Sequence, residues 1–111
     1  MTARGELLNE LTTKVRAPIE KRLDEILDSF EDDNEGLAGF QLARADLDRL
    51  IAKLEHDELL DLARQLDAHG AELKSGIKEM GDAIGHAKSY ARAAEVFATV
   101  VGIVARIVAL A

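Results

Sequence analysis

Apolar residues near the start of the chain recur in steps of three and four, at Leu8, Leu11, Val15, Ile19, Leu23, Ile26 and Phe30. Positions so spaced share one face of a 3.6-residue turn, so the run predicts an amphipathic helix. Pro18 lies inside it. Its missing N–H removes the bond to the Lys14 carbonyl, yet the apolar face stays in phase, and a helix kinked or interrupted at Pro18 is expected. The next stretch, Glu31-Asp32-Asp33-Asn34-Glu35-Gly36, has no apolar residue and ends in glycine. It predicts a solvated turn at which the chain can reverse.

A second helix is expected with Phe40, Ala43, Leu47, Leu50, Ile51 and Leu54 on its dry face and Arg44, Asp48, Arg49 and Lys53 on its wet one. The apolar phase slips at Glu55-His56-Asp57, which predicts a turn with Asp57 capping the helix that follows. Beyond it Leu59, Leu62, Leu66, His69, Leu73, Gly76, Met80 and Ala83 alternate in steps of three and four, a heptad pattern.

The same phase carries on through Ala87, Ala91, Ala94, Ala98, Val101, Ala105 and Val108. A single helix from Asp57 to Ala111 would be ~80 Å long at about 1.5 Å per residue, well beyond the diameter of so small a domain. A bend or turn is therefore expected at Gly81, Gly85 and His86. The resulting fold class is all-α: a single domain over residues 1–111, built as a small bundle of about four helices. An acidic body (1–86) is joined to an apolar, mildly basic C-terminal helix (87–111).

Val96 to Val104 contains no charge, and Ile107 to Ala111 is wholly apolar. On a helix, Lys88, Arg92, Glu95, Thr99, Gly102 and Arg106 fall within about 40° of one line, a narrow polar seam on an otherwise greasy surface. In a soluble bundle such a helix is the most buried one, with its seam at the solvent. In a lipid setting it lies at the interface or lines a pore. Val96 to Ala111 covers only ~24 Å against a hydrocarbon core of ~30 Å, which weighs against a simple span. Small residues also recur every fourth position at Gly81, Gly85, Ser89 and Ala93, and again through Ala98, Gly102, Ala105 and Ala109. That spacing permits close helix contact, within the chain or between chains.

Charge divides the chain in the same place. The net charge is −7. Residues 1–86 hold 20 acids and 11 bases, a balance of −9, whereas residues 87–111 hold one acid and three bases, a balance of +2. An acidic body disfavours nucleic acid as a partner, since phosphate binding needs a basic stripe. It suits a basic protein surface instead, with Asp32, Asp33 and Glu35 at the centre of the acidic face. With no cysteine, the chain has neither disulfide nor thiolate. The first residues show no signal-peptide run, so a cytoplasmic location is expected.

The residues needed for chemistry are not arranged in any recognisable pattern. His56, His69 and His86 lack the Glu-x-x-His spacing of helical metal sites, so no metal is expected. No phosphate-binding glycine loop occurs, and no cofactor is expected. Ser29, Ser75 and Ser89 have no nucleophile context, and the carboxylates fall on wet faces. An enzyme is the least supported class. The sequence points instead to a non-enzymatic protein acting by helix–helix association, with itself or with another helical protein. The expected association face is Leu59, Leu62, Leu66, Leu73, Met80, Val101 and Val108, with Gly81 and Gly85 as hinge or close-packing positions. In a variant of this reading residues 96–111 engage a membrane. The alternative is a soluble acidic inhibitor, immunity-type or adaptor protein docking on a basic surface.

Overall fold

A computed structural model describes residues 2–86 and 90–111. Thr2 starts the first helix because its hydroxyl accepts from the Gly5 amide at 3.0 Å, satisfying a donor that the first turn leaves free. Helix α1 (Ala3–Glu10) runs into a π-helical segment, Leu11–Arg16, then α2 (Ala17–Lys21) and α3 (Leu23–Asp28). Pro18 explains the π-helical part of this course. An α-helical turn would press its ring against the carbonyl four residues back, and the wider π turn ahead of it relieves that contact. The Thr12 and Thr13 hydroxyls donate to the Leu8 and Asn9 carbonyls at 2.9 and 2.6 Å within the loosened ladder. The helix breaks at Arg22, whose φ of −111° and ψ of 21° leave the α region. The interruption expected at Pro18 is thus present, spread to both sides of it.

The π turn also sets which face is dry. It holds more residues than an α turn, so positions four apart keep in line, and Leu7, Leu11, Val15 and Ile19 are buried in succession. Leu7, not Leu8, leads the buried stripe, and Leu23 is only partly covered.

Helix α4 (Asn34–His56) buries all six apolar residues that its periodicity selects. It begins inside the acidic run, for which the sequence predicts a solvated turn throughout. The Asp33 carboxylate accepts from the Gly36 amide at 2.8 Å and caps the helix, so the reversal ends by Asp33. Gly36 leaves room there: a Cβ would come against the Asp33 carboxylate and within 3.0 Å of the Phe30 ring, so one of these side chains would have to shift. At the other end Asp57 is extended and closes α4. It does not cap the next helix as expected. Helix α5 (Leu62–Gly85) starts later, after Asp61. It ends at Gly85 with His86 as its C-terminal cap, so the expected break falls at Gly85 and His86, while Gly81 stays within the helix. Ala87, Lys88 and Ser89, expected as the start of the C-terminal helix, lie outside the described residues, as does the boundary between body and C-terminal helix.

Helix α6 (Tyr90–Leu110) is the centre of the bundle and packs against α5, α4 and α3. Ten of its residues are buried, including Phe97, Val100, Val104 and Ile107 at 0% exposure. Arg92, Glu95, Thr99, Gly102 and Arg106 face solvent, so the described part of the polar seam is the wet edge of a buried helix. The aromatic rings of Phe30, Phe40 and Phe97 meet at one end, with centroids 5.8 Å apart for the first pair and 5.7 Å for the second.

Contacts between elements fix the directions. Arg16 pairs with Asp48 at 3.6 Å and Glu20 with Arg44 at 2.8 Å, so residues 3–28, the N-terminal arm, run antiparallel to α4. Glu72 pairs with Arg106 at 2.8 Å and Glu79 with Arg92, so α5 and α6 are antiparallel as well. The chain goes up, down, up and down, and the Asp61 amide donates to the Ala111 carbonyl at 3.2 Å where the approach to α5 meets the end of α6. The fold is an all-α bundle with a strongly apolar C-terminal helix. Its buried side chains form one cluster drawn from every element.

Candidate association surface

Helix α5 is covered differently on its two inner sides. Toward α6 it presents Gly76, buried along with Leu62, Leu73 and Met80. Gly76 lets the helices close: a Cβ there would lie 3.0 Å from Val100 Cγ2 and 3.7 Å from Ile103 Cδ1. Along the rim Glu72 and Glu79 hold Arg106 and Arg92. This seam is dry within and charged only where it meets water.

Toward the arm the covering is incomplete. Between α1 with its π extension and α5 runs an open groove of about 690 Å³, with a smaller recess of about 310 Å³ continuing it. Leu66 and Ile77 are only half-buried on its floor, and a Cβ at Gly70 would meet nothing within 4 Å. Its walls are charged in a definite order. Glu6 and Asp67 lie at the end near the α4–α5 turn, Glu10 and Lys74 in the middle, and Lys14 and Lys78 toward the far end. Among the described residues only Glu10 and Lys14 of these six form an ion pair, at 3.1 Å, with both side chains substantially exposed.

The sequence-derived association face is used inside the chain. Leu62, Leu73, Met80, Val101 and Val108 are buried in the core, and Leu59 and Leu66 pack against it partly covered. In the folded molecule those five buried residues have helices of the same chain as their partners. Gly81 and Gly85 are exposed, and a methyl group at either would meet nothing within 4 Å, so the close packing expected of them belongs to Gly76. The small residues Ala98, Gly102 and Ala109 are on the solvent side of α6, and Ser89 lies outside the described residues. Of the acidic face, Asp33 is committed to the α4 cap, while Asp32 and Glu35 are exposed.

Sequence reasoning misses Arg4. Its guanidinium donates to the Leu54 carbonyl at 2.7 Å and the Asp57 carbonyl at 2.6 Å, closing the C-terminus of α4 with a cation where free carbonyls gather. No local pattern could reveal a bond that spans fifty residues of chain. The groove does leave a signal. Gly70, Ile77 and Ile84 lie beside Leu66 and Leu73 of the heptad line and widen the apolar face of α5, and a wide apolar face has two neighbours to satisfy.

Among the described residues no group of three His, Cys, Asp or Glu is placed to hold a metal ion. Leu42, Leu60 and Leu110 are exposed singly on different parts of the chain, as scattered apolar residues commonly are. No protein-family model, curated protein or solved structure matches the chain.

Proposed function

We propose that this chain is a non-enzymatic helical protein that works by helix-to-helix association, and that its docking surface is the seam between the N-terminal arm and α5. One observation carries this reading. The α5–α6 seam is closed by buried side chains, whereas the seam toward the arm keeps an open groove with half-buried Leu66 and Ile77 on its floor. A groove with an apolar floor and charged walls suits an amphipathic helix, whose dry face fills the floor while its flanks meet the walls.

A photoreactive amino acid placed at Ala71, with Thr99 on the solvent side of α6 as control, tests the reading in the native host. Capture of one discrete helical protein from Ala71 and not from Thr99 is the expected result. Equal capture from both positions, or none, would overturn it.

A second reading has one observation in its favour. Helix α6 spans 21 residues and holds an 18-residue window with a mean hydropathy of 2.0, which makes it long and apolar enough, by length and composition, to cross a membrane. At about 1.5 Å per residue it measures ~32 Å, so the shortfall reckoned from Val96 disappears once the helix starts at Tyr90. Against this stands its burial, since leaving the bundle would uncover the ten core residues of α6. Co-flotation with anionic liposomes separates the two: the intact chain is expected to stay in the dense fraction, and flotation lost on truncation before Glu95 would favour the membrane reading.

A further inference from the structure

The geometry points to a second copy of this chain as the occupant of the seam, docked antiparallel across a two-fold axis near Ala71. This inference rests on the seam reading and goes further by naming the partner. The charge order along the groove supports it. Acidic Glu6 and Asp67 mark one end, and basic Lys14 and Lys78 the other. A two-fold axis lying across the groove sets arm against arm and α5 against α5 in opposite directions. Glu6 of each copy then faces Lys14 of the other, and Asp67 faces Lys78, each pair occurring twice. An axis along the groove would instead lay the arm of one copy beside α5 of the other in parallel. Glu6 would meet Asp67 and Lys14 would meet Lys78, so both ends would repel. The charges therefore select the antiparallel arrangement and disfavour the parallel one.

The floor agrees with the same axis. Leu66 and Ile77 lie almost equally far along α5 on either side of Ala71, so the two-fold sets Leu66 of one copy over Ile77 of the other. Gly70, where a Cβ would meet nothing within 4 Å, and Ala71 stand at the crossing, where two helices must approach most closely. Near the centre Glu10 would face its own symmetry mate, and Lys74, three residues past Ala71, would lie about 4.5 Å along α5 from the axis. Glu10 is already held by Lys14 of its own chain at 3.1 Å and shares the groove wall with Lys74, so opposite charges offset the like ones there. Leu66 to Lys78 is only ~18 Å of helix at about 1.5 Å per residue, a short contact, so the dimer is expected to be weak and reversible.

Sedimentation velocity on the full chain, from about 1 μM to about 0.5 mM, spans the affinities such a contact can have. The expected result is a monomer–dimer equilibrium. Lys78→Glu and Asp67→Lys should each weaken it at least about tenfold, and the double substitution should return it to within about threefold of the original. Both positions are exposed, and a helical circular-dichroism spectrum for every variant shows that folding is retained. A dimer indifferent to both substitutions, or one the double variant fails to restore, overturns the inference while leaving self-association standing. A monomer at every concentration also overturns it. If Ala71 then still captures another helical protein by photo-crosslinking, the seam reading survives with a different partner, and if it captures nothing, both fail.

Discussion

The two sides of α5 use the same kinds of residue to opposite effect. On the α6 side a glycine, Gly76, lies under Val100 and Ile103, and the helices close until no space is left. On the arm side a glycine, Gly70, lies under nothing. The difference comes from the neighbour. Helix α6 is unbroken, antiparallel and apolar over most of its surface, so it can follow α5 along its length. The arm is interrupted by its π turn and by Arg22, and it is tied to α4 through Arg4, Arg16 and Glu20. A kinked element held to one neighbour cannot also stay flush against another.

The largest effect should come from emptying the closed side. Phe97→Ala removes a fully buried ring from the contact with Phe40 and should lower stability by about 3–5 kcal/mol, read as a fall in the urea midpoint. A loss below about 1 kcal/mol would mean that α6 is not the core. Next comes the tie that holds the arm to α4. Arg4→Ala leaves the part-buried Leu54 carbonyl without its donor, while the exposed Asp57 carbonyl can take water, and should cost about 1–2 kcal/mol, with faster hydrogen exchange at the end of α4.

The glycines sharpen the comparison by differing in sign. Gly76→Leu should destabilise by about 1–3 kcal/mol through overpacking against Val100, whereas Gly70→Ala should stabilise by about 0.5–1 kcal/mol, since the helix gains propensity and nothing is displaced. Thermal melts of the two variants moving the same way would contradict the contrast. The smallest effect is at the rim. Glu72→Gln breaks an exposed pair with Arg106 and should change stability by less than about 1 kcal/mol, an effect that fades further in high salt.

Periodicity identifies the dry face of α4 residue for residue, and for α5 the line through Leu62, Leu73, Gly76 and Met80, because burial of a regular helix repeats with its turn. It fails where the helix is irregular. An α-helical period carried through a π turn selects Leu8, where the structure buries Leu7. A capping residue looks alike on either side of a turn, so Asp57 suits the start of α5 as well as the end of α4, and the backbone alone shows that it ends α4. The expected association residues are apolar and helical as the pattern requires, yet apolarity says only that a side chain seeks cover.

Helical character, the position of most turns, the dry stripes and the greasiness of the final helix can all be read in order along the chain. Each of these properties depends on residues within a few positions of one another, and a linear pattern records such neighbours directly. Which stripe meets which is a different kind of property, settled only when the elements pack. Packing sets Gly76 of α5 against α6, leaves Leu66 and Ile77 partly uncovered by a kinked arm, and joins Arg4 to the far end of α4. Such outcomes depend on the reach and straightness of elements distant in sequence, and a side chain's partner is set by what can come close enough to exclude water from it.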